Sequence, residues 1–496
     1  MNLLRSGLFV VLVFATGCAG LKTRATCPAE GGAPWREVTS AHFRVKTNLN
    51  AEAATQAALE LEKFRRGLLL AWDSEFDPPG EAEAIIIRNA GEFEEFTGGR
   101  IGGYATAGEN GPLLVMSGHG YLVSDEPGDQ RVQAHELAHY LSMYVMQRQP
   151  TWLAEGLATY LETIHFKGRT AEVILGRPQR WYLGYVREHG WLTLEELWSW
   201  DRTGQSQAEM QQHYASAWLW VHYLMNEHTD RFADFQARLA RVEDSRQAFE
   251  AAFRGVQDLA GGLRTYLDTG RYAILTIPLP EVPSKVEVRE LDGAEIHAIR
   301  AQLFLRSPGD TSSEQRKQMA LQELAQALRE DPMNVSATLL HSELTAESSQ
   351  QLDTARALVK ARPEDGRAWS MLARALGAEK GTAEEQEQAL VRAAELRPKH
   401  ANTLNSLAWF YMGTQRLEKA VDPASRAVKL APGNPSILDT YAAVLFQLGR
   451  CPEALKVQRR AADSLHERAP ETLRRSIRET LGKYEQSCGS ETTKQP

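Results

Sequence analysis

Two histidines at helical spacing, with a glutamate between them, are the residues of this 496-residue chain whose chemistry is clearest. They form the segment His135-Glu136-Leu137-Ala138-His139. A helix turns once every 3.6 residues, so side chains at i and i+4 share a face, and two imidazoles at this spacing can bind one zinc ion. Glu136, next to the first ligand, can reach a zinc-bound water without occupying the metal. The segment predicts metal-assisted hydrolysis.

A third ligand is needed, because a catalytic zinc uses three protein ligands and keeps one position for water. Glu155 follows Pro150, which is a plausible first residue of a second helix. Gly156 keeps this helix thin beside the ligand, so we expect the two helices to approach closely. Glu162 is the alternative ligand, but it lies two turns past Glu155 along the helix axis. Glu155 is therefore the predicted third ligand.

The segment from Trp152 to Tyr160, Trp-Leu-Ala-Glu-Gly-Leu-Ala-Thr-Tyr, carries a family resemblance. Together with the His-Glu-x-x-His motif it resembles the gluzincins, and among them the peptidase MA-like group of bacterial proteins. The resemblance implies an α+β zincin-like peptidase domain. It also implies one Zn²⁺ per chain, bound by His135, His139 and Glu155, with Glu136 as the general base.

An oxyanion-stabilising donor is the next requirement of peptide hydrolysis, besides the metal. The segment from His213 to Trp218 resembles the tyrosine-bearing segment of the same group, and Tyr214 is the preferred donor. His213 is the reserve. An aromatic residue on such an apolar helix is also a common core residue, and the sequence does not rank the further candidates Tyr160, Tyr182, Tyr185 and Tyr223.

The residues before the zinc motif predict a place for the substrate. Glu83 to Arg88 and Leu113 to Met116 are apolar segments typical of strands, and a glycine-rich segment, Gly98 to Gly111, separates them. We expect Leu113 to Met116 to be an edge strand to which an extended peptide adds by β-augmentation. The Gly-x-Met-Glu-Asn segment of one aminopeptidase branch of the gluzincins does not occur, which favours an endopeptidase.

The N-terminus predicts export. A positively charged start (Met1 to Arg5) precedes a short apolar run, and Ala15-Thr16-Gly17-Cys18 follows. This resembles a bacterial lipoprotein with a signal peptide over residues 1–17, a lipidated Cys18 and a tether over residues 18–34. Because Ala19 is not aspartate, the resemblance favours the outer membrane, facing the periplasm. Ordinary signal cleavage to a soluble secreted protein is the alternative.

The C-terminal part predicts helical repeats. Prolines recur at a spacing close to 34 residues, and the small and large residues between the last two fit a tetratricopeptide repeat (TPR). We expect four to five repeats over residues 293–488, an all-α superhelix with a closing helix near Pro470 to Ser487, after a peptidase domain over 35–275 and a proline-rich linker over 276–292. Residues 489–496 are a tail. A helical spacer is the alternative. The prolines are Pro332, Pro363, Pro398 and Pro432.

Charge and cysteine content limit the partners. A net charge of −8 argues against nucleic acid. Cys451 and Cys488 can form a disulfide in an oxidising envelope, whereas Cys27 has no evident partner. A purely structural zinc site would usually have four ligands rich in cysteine, and no cysteine lies near the motif.

These patterns together predict a zinc-dependent endopeptidase anchored in the bacterial envelope. Its TPR domain would recruit a protein substrate or an envelope partner. The alternative is an interaction scaffold in which the repeats carry the function and the zinc-binding domain cleaves little.

Overall fold

The computed structural model describes most of the chain between residues 27 and 489. The predicted signal peptide and Cys18 lie outside the described residues. Within the described part, no helix is both long enough and apolar enough to cross a membrane. The described residues are 27–72, 77–98, 102–108, 111–118, 132–146, 149–167, 171–200, 205–241, 243–307, 312–345, 351–379, 381–465 and 469–489.

Two β-sheets organise residues 36–290. The described strands are β1 (Arg36–Thr39), β2 (Phe43–Thr47), β3 (Ala82–Ile87), β4 (Gly103–Gly108), β5 (Gly111–Ser117), β6 (His165–Lys167), β7 (Glu172–Leu175), β8 (Leu275–Pro278) and β9 (Glu287–Glu290). The larger sheet has the spatial order β4–β5–β3–β2–β1–β9, and the smaller one β6–β7–β8. Strands β2, β3 and β5 are parallel, while β4, β1 and β9 are antiparallel to their neighbours. β3 is buried along its whole length, as expected for a strand covered on both faces.

The edge of the larger sheet differs from the prediction. Leu113 to Met116 lies in β5, which pairs with β3 on one side and β4 on the other, so its prediction as the edge strand is wrong. The edge strand on this side of the sheet is β4, within the glycine-rich segment that strand propensity alone does not identify. Position 103 favours glycine because a Cβ there would lie 2.8 Å from Val132 Cγ1 on the neighbouring helix.

Helices surround the sheets and bring the chemically active residues together. The stretch from Phe232 to Phe253 contains parts of two helices, because the Asp244 side chain accepts hydrogen bonds from the backbone of Arg246 and Gln247 and starts a new helix there. The helices of this part are α1 (Ala51–Leu69), α2 (Ala90–Thr97), α3 (Val132–Val145), α4 (Thr151–Leu161), α5 (Arg180–His189), α6 (Leu194–Trp198), α7 (Gln207–Glu227), α8 (Thr229–Ala240), α9 (Ser245–Ala252) and α10 (Leu259–Thr269).

The C-terminal helices form a TPR-like stack. They are α11 (Gly293–Arg306), α12 (Ser313–Glu330), α13 (Val335–Thr345), α14 (Gln351–Ala361), α15 (Gly366–Ala378), α16 (Ala383–Leu396), α17 (Ala401–Gly413), α18 (Leu417–Leu430), α19 (Pro435–Gln447), α20 (Cys451–Asp463) and α21 (Glu471–Gly489). Helices α12, α16, α18 and α20 each pack on the helix before them. A disulfide joins Cys451 to Cys488, with a Cα–Cα distance of 5.6 Å, so the bridge that the sequence permits but does not settle is present.

The segment predicted to be a linker is built into both sheets. β8 pairs with β7 at one end of this segment, and β9 pairs with β1 at the other. Strand pairing on each side ties the proline-rich residues between them to the N-terminal part of the chain. The segment therefore does not separate two independent bodies.

The first helix pair of the repeats completes the core of the larger sheet. Alternate residues of β3 point to opposite faces, and Ile85 and Ile87 belong to the core shared with α11 and α12. Ala84 and Ile86 belong to the core shared with α1 and α3. The Tyr104 hydroxyl on β4 also lies 2.8 Å from Ser307 Oγ at the end of α11. One repeat thus serves as the second covering layer of the sheet.

Cys27 joins this junction as a free, buried cysteine. Its Sγ lies 3.6 Å from His297 Nδ1 on α11, and that nitrogen is 2.6 Å from the Glu323 carboxylate on α12. Burial by itself would lower the pKa of His297, but the Cys27 thiol and the Glu323 carboxylate raise it to about 9. The histidine is therefore cationic at neutral pH in the folded protein.

Candidate metal centre

Helices α3 and α4 bring three candidate ligands to one point. His135 Nε2 and His139 Nε2 are 3.0 Å apart, and Glu155 Oε2 lies 3.5 Å and 3.3 Å from them respectively. Donor atoms around a tetrahedral zinc with bonds of 2.0–2.1 Å are about 3.3 Å apart, so the donor set and its spacing fit zinc. Among the described residues, this is the only group of three such side chains close enough to hold a metal ion.

The position of α4 depends on its packing against α7. Pro150 is the N-cap of α4, and Trp152 and Leu153 are fully buried in the core of the N-terminal part. At Gly156 a Cβ would lie 2.6 Å from the Ala217 carbonyl oxygen on α7. We predicted that this glycine allows the two ligand-bearing helices, α3 and α4, to approach closely. That reason is wrong, because the glycine allows α4 to approach α7.

Glu162, at the C-terminal end of α4, contacts the other nitrogen of a ligand. Its carboxylate lies 2.7 Å from His135 Nδ1, whereas Glu155 lies on the Nε2 side of the ring. Nδ1 therefore donates to Glu162, which orients the ring and leaves the Nε2 lone pair for a metal. The two carboxylates therefore lie on opposite sides of the His135 ring, Glu162 at Nδ1 and Glu155 at Nε2.

The electrostatics of the cluster couple metal binding to pH. Burial alone would lower the pKa of His135, but hydrogen bonds to Glu155 and Glu162 raise it to about 10. Without a cation between these groups, His135 is protonated at neutral pH. Metal binding therefore has to displace a proton.

Among the described residues, Tyr214 and Tyr182 are two tyrosines that lie close to this cluster. The Tyr214 ring centroid lies 6.4 Å from that of His135. Tyr182, on α5, is buried, and its burial together with the nearby Glu162, Tyr214 and Glu155 raises its pKa. A sequence pattern that would single out Tyr182 does not exist, because its position depends on how α5 packs against α7.

The remaining aromatic candidates have other partners. His213 stacks on Trp200 with ring centroids 4.9 Å apart, and its Nδ1 donates to the Glu209 carbonyl oxygen at 2.7 Å. The other three tyrosines contact groups outside the cluster: Tyr160 the His222 ring, Tyr185 the Gln212 side chain, and Tyr223 the His228 ring. Glu136 follows His135 on α3 and is partly buried.

Comparison with known proteins gives one family match and a set of solved structures. A family described as a protein of unknown function (DUF1570) matches residues 132–244, the stretch that contains the candidate metal centre. No curated protein matches the chain. Similar solved structures include TTC0263, a thermophilic TPR protein of Thermus thermophilus (21% identity, 39% of this chain and 98% of that chain, TM-score 0.29). Another is pilF of Pseudomonas aeruginosa (16% identity, 41% and 93%, TM-score 0.31). A third is the MamA protein (16% identity, 35% and 91%, TM-score 0.27).

By its fold, the chain is a protein with TPR-like helical repeats joined to a mixed β-sheet. This assignment rests on the paired helices, their spacing and the buried small residues between them, including Ala408, Ala420 and Ala427.

Proposed function

We propose that this chain is a zinc-dependent endopeptidase with a zincin-like α+β catalytic domain, whose repeats recruit a protein substrate or partner. The observation that carries the proposal is the spacing of 3.0–3.5 Å between one atom each of His135, His139 and Glu155. Two neutral imidazoles and one carboxylate are a donor set that leaves a fourth position for water.

The roles of the side chains follow from their places. A zinc ion held by the three ligands would lower the pKa of a water to about 7 and polarise the scissile carbonyl. Glu136 accepts the proton of the attacking water and passes it to the leaving amine. Tyr214 donates a hydrogen bond to the oxygen that becomes negatively charged. Glu162 holds the His135 ring in the productive orientation.

The substrate would lie along β4. This strand is one of the two edge strands of the larger sheet as described, and Gly102 and Gly103 bring it against Val132 at the start of α3. An extended peptide that pairs with β4 adds a strand next to the helix that carries both histidines. Such pairing uses backbone groups in the middle of the substrate, which favours cleavage within a chain.

The envelope location stays a proposal based on the lipoprotein-like N-terminus. The Cys451–Cys488 disulfide supports it, because stable disulfides are typical of oxidising compartments such as the periplasm. In this proposal the lipid on Cys18 holds the protein at the outer membrane, facing the periplasm.

A second candidate is an interaction scaffold with little or no peptidase activity. The observation that favours it is the extent of the TPR-like stack, which supplies α11 to α21 and also one covering layer of the sheet. In this alternative, zinc would stabilise the domain on which the repeats pack, and the repeats would carry the function.

One variant separates the two candidates. Glu136→Gln removes the general base and keeps the three ligands. We expect the wild-type protein to bind one zinc ion and cleave an unstructured protein such as casein, and the variant to bind zinc and leave casein intact. Zinc is measured by elemental mass spectrometry and cleavage by peptide mass spectrometry. Glu250→Gln, at an exposed position of α9, is the matched control. Zinc-loaded wild-type protein that cleaves nothing would support the scaffold.

A further inference from the structure

The repeat stack contacts the N-terminal part of the chain at two places, and the two contacts differ in chemistry. At the first, α11 and α12 pack apolar side chains against β3. Further along the stack, the turn between α16 and α17 and the end of α18 return to the N-terminal part through polar contacts. A cavity of about 770 Å³ lies beside this second contact, and its walls carry charged side chains from both parts, among them Arg44, Glu83, Arg367 and Arg397.

The contact at the end of α18 reaches the helix that carries both histidines of the candidate metal centre. Tyr144, in the last turn of α3, donates a hydrogen bond from its hydroxyl to the Leu430 carbonyl oxygen at 3.0 Å. Leu430 is the last residue of α18, and the last carbonyls of a helix have no partner within that helix. The repeat therefore supplies an acceptor that its own helix leaves unpaired, and α3 supplies the donor.

The Tyr144 hydroxyl also accepts a hydrogen bond from the Tyr140 hydroxyl, one turn earlier on α3. The two rings meet edge to face, with centroids 5.4 Å apart. Tyr140 is buried in the core of the N-terminal part and directly follows the candidate ligand His139. Hydrogen bonds and packed rings thus connect the end of α18 to the turn of α3 that carries His139.

The other polar contact lies at the turn before α17. Lys399 Nζ is 3.9 Å from one carboxylate oxygen of Glu81, and Arg44 lies 3.6 Å from the other oxygen. Ion pairs between exposed side chains stabilise a protein little. Relative motion is expected across small polar interfaces, and each repeat contacts mainly its neighbours. This part of the stack can therefore dock and undock while α11 and α12 stay on the sheet.

We propose that the segment from Lys399 to Leu430, which contains α17 and α18, is a latch on the zinc-binding helix, with Tyr144 as the positioning residue. When the latch is docked, the hydrogen bond from Tyr144 holds α3 so that His135 and His139 face Glu155. When the latch is undocked, α3 loses this support and zinc is bound less tightly.

The latch couples the repeats to the metal. Coupling between two sites is reciprocal, so docking strengthens zinc binding and zinc binding favours docking. A partner protein that binds only the undocked repeats would thereby inhibit the peptidase. The inference rests on the proposed zinc site and states how the repeats regulate it.

Two variants of the full-length protein break the latch from opposite sides. Tyr144→Phe removes the hydroxyl on α3, and Lys399→Glu places a carboxylate beside that of Glu81 from the side of the repeats. Zinc affinity is measured by competition with a chromophoric chelator. Hydrogen exchange of the backbone amides of α3 and α18 is measured by mass spectrometry, with and without zinc.

Each variant has a matched control. Tyr272→Phe also removes a hydroxyl that donates to a backbone carbonyl, that of Leu267, but both residues lie within the N-terminal part. Lys419→Glu reverses the charge of a lysine whose contact with Glu387 is also 3.9 Å long, but both residues lie within the repeats. Neither control touches the contact between the two parts.

In the wild type, we expect zinc to slow amide exchange in α18 as well as in α3. Both latch variants should lose the response of α18, keep that of α3 and bind zinc about two- to tenfold more weakly, which corresponds to the net contribution of one hydrogen bond. Both controls should behave as the wild type does.

Three results would overturn the latch and leave the metal centre intact. They are zinc binding without any response of α18 in the wild type, an unchanged response of α18 in Tyr144→Phe, and an unchanged zinc affinity in Lys399→Glu, which would show that the repeats have no effect on the metal. Absence of zinc binding in the wild type would instead refute the proposed zinc site, and the latch with it.

Discussion

Replacing Glu162 tests how the candidate metal centre is organised. Glu162→Gln keeps the shape of the side chain and removes its charge, while the 2.7 Å contact with His135 Nδ1 can persist as a neutral hydrogen bond. Charge-assisted hydrogen bonds are about twice as strong as neutral ones, and loss of an orienting carboxylate lowers metal affinity by about 10–100-fold. Glu155→Gln replaces an anionic ligand instead, so it should lower zinc affinity by more than about 100-fold.

Zinc affinity is measured by competition with a chromophoric chelator at fixed pH, for the wild type and both variants. Glu250→Gln is the control for the loss of one carboxylate at an exposed position. We expect the wild type to bind zinc most tightly, Glu162→Gln less tightly and Glu155→Gln least tightly. The opposite order of the two variants would show that Glu162 is the ligand, and an unchanged affinity for Glu162→Gln would refute its orienting role.

Three further results are expected. Tyr214→Phe should lower kcat for casein cleavage by about 100-fold or more and leave zinc affinity unchanged, because it removes an oxyanion donor. His213→Gln should retain activity in the same assay. Gly156→Ala should lower the free energy of unfolding by about 1–3 kcal/mol in urea titrations, because its Cβ meets α7, whereas Gly184→Ala, with open space around it, should not lower it. The pKa of His297 is raised from 6.5 to about 9, so its stabilisation is present below pH 6.5 and lost as pH rises through 9. The stability of the wild type should therefore fall more over that range than that of His297→Gln, and equal slopes would contradict the ion pair.

Local patterns predicted the parts of the fold that depend on neighbours in sequence. The i, i+4 spacing of His135 and His139 places both on one face of α3, whatever the rest of the chain does. The repeat spacing likewise predicted the paired helices and the closing helix, because each repeat contacts mainly its neighbours. The proposed pair Cys451 and Cys488 also formed, since α20 and α21 are adjacent in this stack.

Errors arose where distant segments meet. Whether Leu113 to Met116 is an edge or an interior strand depends on β4, whose glycine-rich sequence resembles a loop. The proline-rich segment was predicted as a linker, but β1 and β7, far away in sequence, pair with its two ends. The partner of Gly156 is a helix about sixty residues later in the chain, and no local pattern contains that information.

The sequence by itself determined the kinds of side chain available: two imidazoles and a carboxylate able to bind a metal, a glutamate beside them, and a set of repeats. Those features are local, because helical periodicity alone brings i and i+4 together. Only the tertiary structure decided that Glu162 contacts Nδ1 of His135 while Glu155 faces its Nε2, that Tyr182 and Tyr214 approach the same point, and that the first repeat covers the sheet. These arrangements depend on how buried surfaces of separate elements fit one another, and that fit is a property of the packed molecule.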